Sequence, residues 1–485
     1  ALTSGTYTLG GSNSASVLSG LIPGASSTSS NDLNFVSLRA SRELMPLGGG
    51  NLSIGTGLEF MSRSLNEQFP DSFANGAQAS NIYAFGVGKQ NITAAHVELV
   101  APLTKQLELD AAARIDHYDT YGSSATPKVG VKYLPAKELT LRGTYSAGFR
   151  APNPVEIGVS GSSAGYLPPL VDTALCNRVK PGQPCDIAVG GTELQLPGKD
   201  LKPEKSKSFT LGFIYEPGPM FNLSVDYYDI RINDQIVSVG LFGQSQIDKA
   251  SVYGTKLYRV NSPTTPNAAP TSDDDTILYG TYPFVNLGQT RTSGVDVDMR
   301  LRLDGGDWGR FTPQLQWSHM LRYTIEREGV RYELAGTHGP SFVSTNTGTP
   351  RDRAALSLTW ARGPLELTGT LNHISGFSVV DPSYNLPDCS SALKVVFPNG
   401  VPAGSSLCRV GSFNEFNLNL LYNVTQNLAL RAAVTNLFNR SAPIDAFASG
   451  SSGGGVGSGG AHYDPSLHQD GAVGRFTTLA VSYKF

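Results

Sequence analysis

The sequence predicts an all-β protein, a transmembrane antiparallel up-and-down β-barrel with short turns at one end and long loops at the other. Three observations carry this expectation. Apolar residues recur at every second position over runs of roughly 10–13 residues, near the roughly 9–11 that a tilted membrane strand requires. The connections between these runs alternate short and long. The composition is also unusual: charged residues are 16% and hydrophobic residues 40% of the 485-residue chain. Soluble domains carry about a quarter charged residues. Here Gly (54), Tyr (20), Ser, Thr and Asn fill the difference, as expected of strands with one apolar and one uncharged polar face. No apolar stretch reaches the roughly 18 residues of a helical span. A net charge of -3 without a basic stripe leaves no footprint for nucleic acid.

In chain order, residues 1–31 are Gly/Ser-rich, with one short strand expected near residues 6–9. A strand follows over 34–44, where Val36, Leu38 and Ala40 alternate with Ser37, Arg39 and Ser41. After a turn at 45–50, Leu52, Ile54, Leu58 and Phe60 share one face of 51–61. Over 107–116, Leu107, Leu109, Ala111, Ala113 and Ile115 oppose Glu108, Asp110, Ala112, Arg114 and Asp116. Leu139, Leu141 and Tyr145 alternate with Thr140, Arg142, Thr144 and Ser146 until Gly148 and the Ala151-Pro152-Asn153-Pro154 run stop the ladder. The same period of two marks 221–228, 294–303, 416–422 and 472–485. Aromatic residues close several apolar rows: Tyr133, Tyr145, Tyr215, Tyr227, Trp317, Trp360, Tyr422 and Tyr483 read as interfacial girdles. The count is about fifteen strands, or about sixteen with the one near residue 6.

Short connections fall near 45–50, 102–105, 135–137, 217–219, 304–307, 361–363 and 424–426. Long ones fall near 62–89, 149–204, 233–290, 327–349, 378–411 and 440–471, and the intermediate link at 118–124 belongs to the long series. The whole of 1–485 thus reads as a single barrel domain. Ala1 opens a polar segment with no signal peptide, so the chain reads as a processed form or a fragment. Four cysteines form two local pairs, Cys176/Cys185 and Cys389/Cys408, with no C-x-x-C spacing and no neighbouring His. Two local disulfides in exposed loops of an oxidising compartment suit this better than four free thiols. Each would remove roughly 3 kcal/mol of loop entropy.

Several segments resemble consecutive parts of TonB-dependent outer-membrane receptors. They are Arg114-Ile115-Asp116-His117-Tyr118, Tyr145-Ser146-Ala147-Gly148-Phe149-Arg150-Ala151-Pro152, Leu201-Lys202-Pro203-Glu204-Lys205-Ser206 and Val225-Asp226-Tyr227-Tyr228-Asp229-Ile230-Arg231-Ile232. Gly294-Val295-Asp296, Asn436-Leu437-Phe438-Asn439 and Gly474-Arg475-Phe476 complete the series in the family's order. The resemblance implies a barrel of about 22 strands, of which this chain supplies about the last 15–16, in the outer membrane of a Gram-negative bacterium. It implies contact with outer-membrane lipid and lipopolysaccharide, and energy from the TonB, ExbB and ExbD proteins through a plug domain. Neither plug nor TonB box is recognised in this sequence. Terminal Phe485 resembles the signal read by the barrel-assembly machinery, and a surface lipoprotein is a further expected partner.

Chemistry-bearing motifs are few, and no catalytic residue, metal site or cofactor is expected. Gly161-Ser162-Ser163-Ala164-Gly165 matches G-x-S-x-G but lacks the strand–turn–helix context of a nucleophile elbow. His96, His117, His319, His338, His373, His462 and His468 show no ligand spacing. Asp273, Asp274 and Asp275 read as a solvated acidic tip, and 450–460 as a Gly-rich loop. Glu108, Asp110, Arg114, Arg142, Asp226, Asp296, Arg300 and Arg302 read as lumen-facing cross-strand charges. Ligand contact is expected on the loops, at Tyr166, Tyr253, Tyr258, Tyr279, Tyr282, Phe377, Tyr384, His462, Tyr463 and His468. The resemblance implies a receptor and TonB-dependent transporter, not an enzyme, for a scarce solute such as a siderophore, vitamin, oligosaccharide or peptide. The alternative is a passive or substrate-specific porin of about 16 strands.

Overall fold

The structure, a computed structural model of the chain, describes residues 7–8, 11–21, 27–68, 83–165, 170–238, 244–338, 348–379, 408–445, 463 and 465–485. A short helix, α1 (Ala15–Leu21), precedes the sheet. The strand expected near residues 6–9 is not formed at residues 7–8, and residues 6 and 9 lie outside the described residues. The segment is too Gly/Ser-rich to present an alternating face.

The wall begins with β1 (Ser29–Pro46), β2 (Asn51–Glu67), β3 (Tyr83–Pro102), β4 (Leu107–Tyr118), β5 (Gly122–Ala136) and β6 (Leu139–Arg150). The next connection holds α2 (Pro154–Ile157), β7 (Val159–Gly165), α3 (Thr173–Val179) and β8 (Thr192–Leu196). After β9 (Glu204–Gly218) and β10 (Phe221–Asn233) come β11 (Ile236–Ser238), α4 (Ser245–Asp248), β12 (Lys256–Arg259) and β13 (Ile277–Asn286). The wall resumes with β14 (Gln289–Leu301), a short β15 (Leu303–Asp304) and β16 (Arg310–Arg327), whose tip hairpin is completed by β17 (Val330–Glu333). It continues through β18 (Asp352–Arg362) and β19 (Leu365–Ile374), past the paired β20 (Phe377–Ser378) and β21 (Arg409–Val410). It ends with β22 (Phe413–Asn423), β23 (Leu428–Thr435), helix α5 (Pro465–Val473) and β24 (Phe476–Tyr483).

Each wall strand pairs antiparallel with the next, from β1 through β6 to β9, β10, β14, β16, β18, β19, β22, β23 and β24. This is a meander, and β1 and β24 pair on one side only among the described residues. Several strands are longer than the sequence periodicity marks: β3 runs for 20 residues and β1 for 18. The excess lies at the long-loop end, where strands continue as hairpins. Glu328 (φ 52) and Gly329 (φ 76) close the β16–β17 hairpin, both in the left-handed conformation that a tight two-residue turn needs.

The register carries the apolar alternation unbroken from strand to strand. Leu211 sits opposite Gly143 and Tyr227, Tyr227 opposite Val295, Val297 opposite Trp317, and Leu356 opposite both Leu315 and Leu371. These residues do not bury one another in a core. Leu38 is 69% exposed, Leu211 56%, Leu356 51% and Leu479 79%. An apolar surface running across a whole sheet far exceeds what a water-soluble monomer presents. It matches the lipid-facing band of a membrane strand wall.

The opposite face carries the charges, and they pair across strands. Arg114 reaches Glu59 of β2 at 2.7 Å and Asp116 at 2.8 Å, and Arg39 reaches Glu59 at 3.1 Å. Lys128 pairs with Asp110 at 3.2 Å, Arg142 with Asp226 at 2.5 Å, and Ser318 donates to Asp296 at 2.6 Å. Of these, the half-exposed Lys128–Asp110 and Arg142–Asp226 pairs contribute roughly 0.2–1 kcal/mol each, while Asp116 is buried.

Candidate binding site

The connections at the long-loop end fold into a structured cap. At its entrance, Asn153 and Glu156 form a reciprocal capping box around α2, and Pro154 starts the helix with its preset φ. Arg150, the last residue of β6, donates to Glu156 at 2.9 Å and to Glu204 at 2.6 Å. The strand end and both edges of the 149–204 connection are therefore tied to one guanidinium. The 149–204 and 233–290 connections then interlock: β8 pairs in parallel with β13, and β7 bridges β8 and β3.

One buried ion pair lies at the centre of that assembly. Arg259 donates two bonds to Asp172, at 2.7 and 2.9 Å, and both side chains are almost fully buried. Asp172 also caps α3 by accepting from the backbone N–H of Leu175, and Arg259 binds the carbonyls of Ala268 and Asp275. Such a pair tolerates burial because these further hydrogen bonds add to the mutual attraction of the two charges. Around it pack Val189, Ile247, Ala250, Leu257 and Ile277. The Cys176–Cys185 disulfide closes the α3 turn beside it.

Asp275 corrects the reading of residues 273–275 as a solvated acidic tip. It is fully buried and accepts from the backbone N–H groups of Asn261 and Thr271, at 2.9 and 2.8 Å. The carboxylate organises the turn from within, while Asp273 stays outside and pairs with Arg178.

The tyrosines expected to meet ligand divide into two environments. Tyr253 and Tyr282 are buried with Val237, Val285 and Leu287. Burial pushes the Tyr253 phenol up, and its neighbour Glu328 adds to the shift. Burial acts to raise Glu328 itself, but hydrogen bonds from Tyr253, Lys249 and Ser245 outweigh it and hold the carboxyl low. Tyr258 and Tyr279 instead stack face to face, centroids 4.5 Å apart, and both remain half-buried at the cap surface. Glu193 of β8 has its pKa raised, first by burial and against hydrogen bonds from Tyr282 and Gln246.

A second cluster forms where α5 meets the opposite part of the wall. Phe377 and His468, far apart in sequence, stack with ring centroids 6.5 Å apart. His338 packs edge-on against Phe377 and bonds Asp445 at 2.8 Å, while Phe413 packs edge-on against His468. All five side chains are buried. Phe377 and His468 thus join two residues the ligand-contact expectation did not include, His338 and Asp445. Their pairing spans 107 positions and leaves no local signal. Tyr463 is half-buried, whereas Tyr166, Tyr384 and His462 lie outside the described residues. Cys408 is disulfide-bonded, and Cys389 lies outside the described residues.

On the inner face of the wall, Ser224, Asp226, Asp296, Asp298, Gln316 and Arg353 line a cavity of about 510 Å³. Asp298 accepts from Gln314 and Gln316, so the polar part of the lining is hydrogen-bonded, and Val297, Trp317 and Ile374 supply an apolar part. Ser163 lies inside β7, paired with Tyr83 and Leu194, and so does not stand on a strand-to-helix elbow. Among the described residues no group of three or more His, Cys, Asp or Glu side chains is arranged to hold a metal ion.

Comparison with solved structures places this architecture. The siderophore receptor PirA from Acinetobacter baumannii superposes with a TM-score of 0.60 at 14% identity, over 94% of this chain and 55% of that one. The ferric enterobactin receptor PfeA from Pseudomonas aeruginosa, in complex with enterobactin, gives 0.59 at 16% identity, over 94% and 54%. The copper transporter OprC gives 0.55 at 14%, over 96% and 58%. The chain thus spans a little over half the length of these proteins, and at such identities they share its fold. No curated protein matches the sequence. Residues 2–437 match the family described as TonB dependent receptor-like, beta-barrel, and with the meander, its exposed apolar face and its hydrophilic interior, the chain belongs to that family.

Proposed function

We propose that this chain forms the wall and the recognising loops of an outer-membrane receptor that takes up a scarce solute by TonB-dependent active transport. The observation that carries the reading is the division of the wall. Its outer face is apolar and exposed, its inner face is hydrophilic and cross-linked by charge, and a folded cap stands at one end. Such a wall offers a large polar molecule a route across lipid, and the cap offers it a selective entrance. The cargo falls in the class of siderophores, vitamins, oligosaccharides or peptides. Tyr258 and Tyr279 offer a stacked, half-buried aromatic surface for it, and Tyr166, Tyr384, His462 and Tyr463 are further proposed contacts.

In this reading the TonB, ExbB and ExbD proteins energise the gate through a plug domain, Phe485 is the signal for the barrel-assembly machinery, and a surface lipoprotein is a further partner. The deciding measurement is uptake of an iron-loaded siderophore panel, and of cobalamin, in cells that carry or lack the gene. Uptake that requires both the gene and TonB, and that stops when the proton gradient is collapsed, is the expected result. Steady, solute-permeable conductance of the purified protein in planar bilayers, with uptake indifferent to TonB, would instead establish a passive channel.

A further inference from the structure

The long-loop end of the wall carries two kinds of covering structure. On one side, β7, β8 and β13 form a hydrogen-bonded ladder from β3 to the β11–β13 pair that extends β10 and β14. On the other side lies α5, which meets the wall mainly through side chains. Its seat is on the inner face. Phe413 and Glu415 of β22 lie an even number of residues from Asn417 and Asn419, opposite in facing to Leu418, Leu420 and Tyr422. Both are buried, although the rest of the strand is half-buried or exposed.

The helix fits this seat closely. His468 packs against Phe377 and Phe413, and Leu467 joins the cluster of Phe377, Val379 and Val410. A Cβ at Gly471 would lie 2.6 Å from the Ala442 nitrogen and 2.9 Å from the Phe413 ring, so only glycine fits there. The Ala442 N–H donates to the Gly471 carbonyl at 3.2 Å, and the Asn436 amide donates to the Asp470 carbonyl at 3.1 Å. Within the seat, the Asp470 carboxyl meets that of Glu415.

Two ionised carboxylates in contact repel, and burial sharpens the conflict. One proton between them removes it, because a carboxylic acid donates its O–H to the neighbouring carboxylate. Glu415 is the place for that proton. It is 3% exposed, and its Oε1 is buried with no hydrogen-bond partner among the described residues, whereas Asp470 is exposed. A bare buried oxygen is costly on a carboxylate and far less so on a neutral acid. No cation takes the proton's place. Besides Asp470, Glu415 faces the neutral amides of Asn417 and Asn372. Arg440 and Arg475 flank the seat but are exposed, and among the described residues neither forms an ion pair. His468 turns to the two phenylalanines, and His338 to Asp445.

We propose that α5 is a proton-dependent strap at the entrance of the wall. While one proton bridges Glu415 and Asp470, the helix stays seated on the inner face. When that proton passes to water, the two carboxylates drive the helix off its seat and the entrance widens. This goes beyond the uptake proposed above and holds whether the solute is pumped or diffuses.

The test follows hydrogen exchange of peptides covering 440–445 and 465–474 in the detergent-extracted protein. Protection is compared at about pH 5 and about pH 8, after correction for the intrinsic pH dependence of exchange. In wild type it should fall on the order of tenfold at the higher pH, while peptides of β18 and β19 stay unchanged. Glu415→Gln carries a permanent N–H donor where the proton sat, so it should keep the seated level of protection at both pH values. Should that variant fail to fold, Asp470→Asn supplies the same donor from an exposed position. Gly471→Val pushes the helix away from Phe413 without touching either carboxyl and should lose protection at both pH values. Equal wild-type protection at the two pH values would overturn the proposal. A pH response that persists in Glu415→Gln overturns it as well, because the response then belongs to His338 or His468. Wild-type protection in Gly471→Val does the same, since the seat would not be what shields these peptides.

Discussion

Val297 and Asp296 are adjacent in the chain and face different surroundings. Val297 stands in register with the apolar Val225 and Trp317 of the neighbouring strands, whereas Asp296 stands in register with Asp226 and accepts a hydrogen bond from Ser318. Leu418 and Asn417 repeat the contrast on β22, where Asn417 accepts from the backbone N–H of Asn436. The cap differs again: its apolar residues lie inside, around the Arg259–Asp172 pair, as in a small water-soluble domain. One chain thus follows two rules of burial. The wall turns its apolar face to lipid and needs no core, while the cap stands in water and must build one.

The largest effect should come from the cap. Replacing Arg259 with Met leaves Asp172 buried without its partner and should cost about 3–5 kcal/mol, read as early loss of cap structure in limited proteolysis while the wall persists. If the wall unfolds together with the cap, the two regions are not the separate units described here. Next, an arginine at Val297 or Leu418 should cost about 2–4 kcal/mol in urea-driven unfolding from vesicles, if these residues face mid-membrane lipid. The same change at Asn417 should cost less than about 1 kcal/mol. Equal tolerance on the two faces would remove the distinction between them.

Replacing Cys176 and Cys185 with Ser should destabilise the cap by roughly 2–3 kcal/mol, from the entropy of the short loop it closes, and should leave wall unfolding unchanged. Removing Arg142 with Met breaks a half-exposed inner-face pair and should cost only about 0.5–1 kcal/mol. The smallest effect depends on pH. The raised pKa of Glu193 means that its protonated form is favoured in the folded cap. Its stabilising contribution is complete at pH below the ordinary carboxyl value of 4.5 and is lost as the pH rises through the elevated value. Glu193→Gln should therefore raise cap stability at neutral pH, and the difference from wild type should shrink towards pH 4, measured by thermal melting at both pH values.

The wall was legible because its signal is local. Alternation at every second residue marks a strand wherever one face is apolar and the other polar, and Leu107–Ile115 and Leu139–Tyr145 display it plainly. The Cys176/Cys185 pair was readable for the same reason, since its partners lie within a few residues, whereas the Asn153–Glu156 capping box appears only in the structure. The interior of the cap was not. Arg259 meets Asp172 across 87 positions, and nothing in the residues around either one announces the other. Nor does an isolated tyrosine in a loop reveal whether it will be buried, as Tyr253 is, or left half-open like Tyr258.

By itself, then, the sequence determined a two-faced strand wall and its family motifs, because each depends on spacing along one strand. Tertiary structure decided which residues meet across strands and loops. It buried Asp275 within a turn, assembled Phe377, His468, His338 and Asp445 into one cluster, and set Lys207, Arg231 and Arg291 side by side on the outer face. The reason is register: a period of two says that a residue faces outward, and only the pairing of neighbouring strands says what stands beside it.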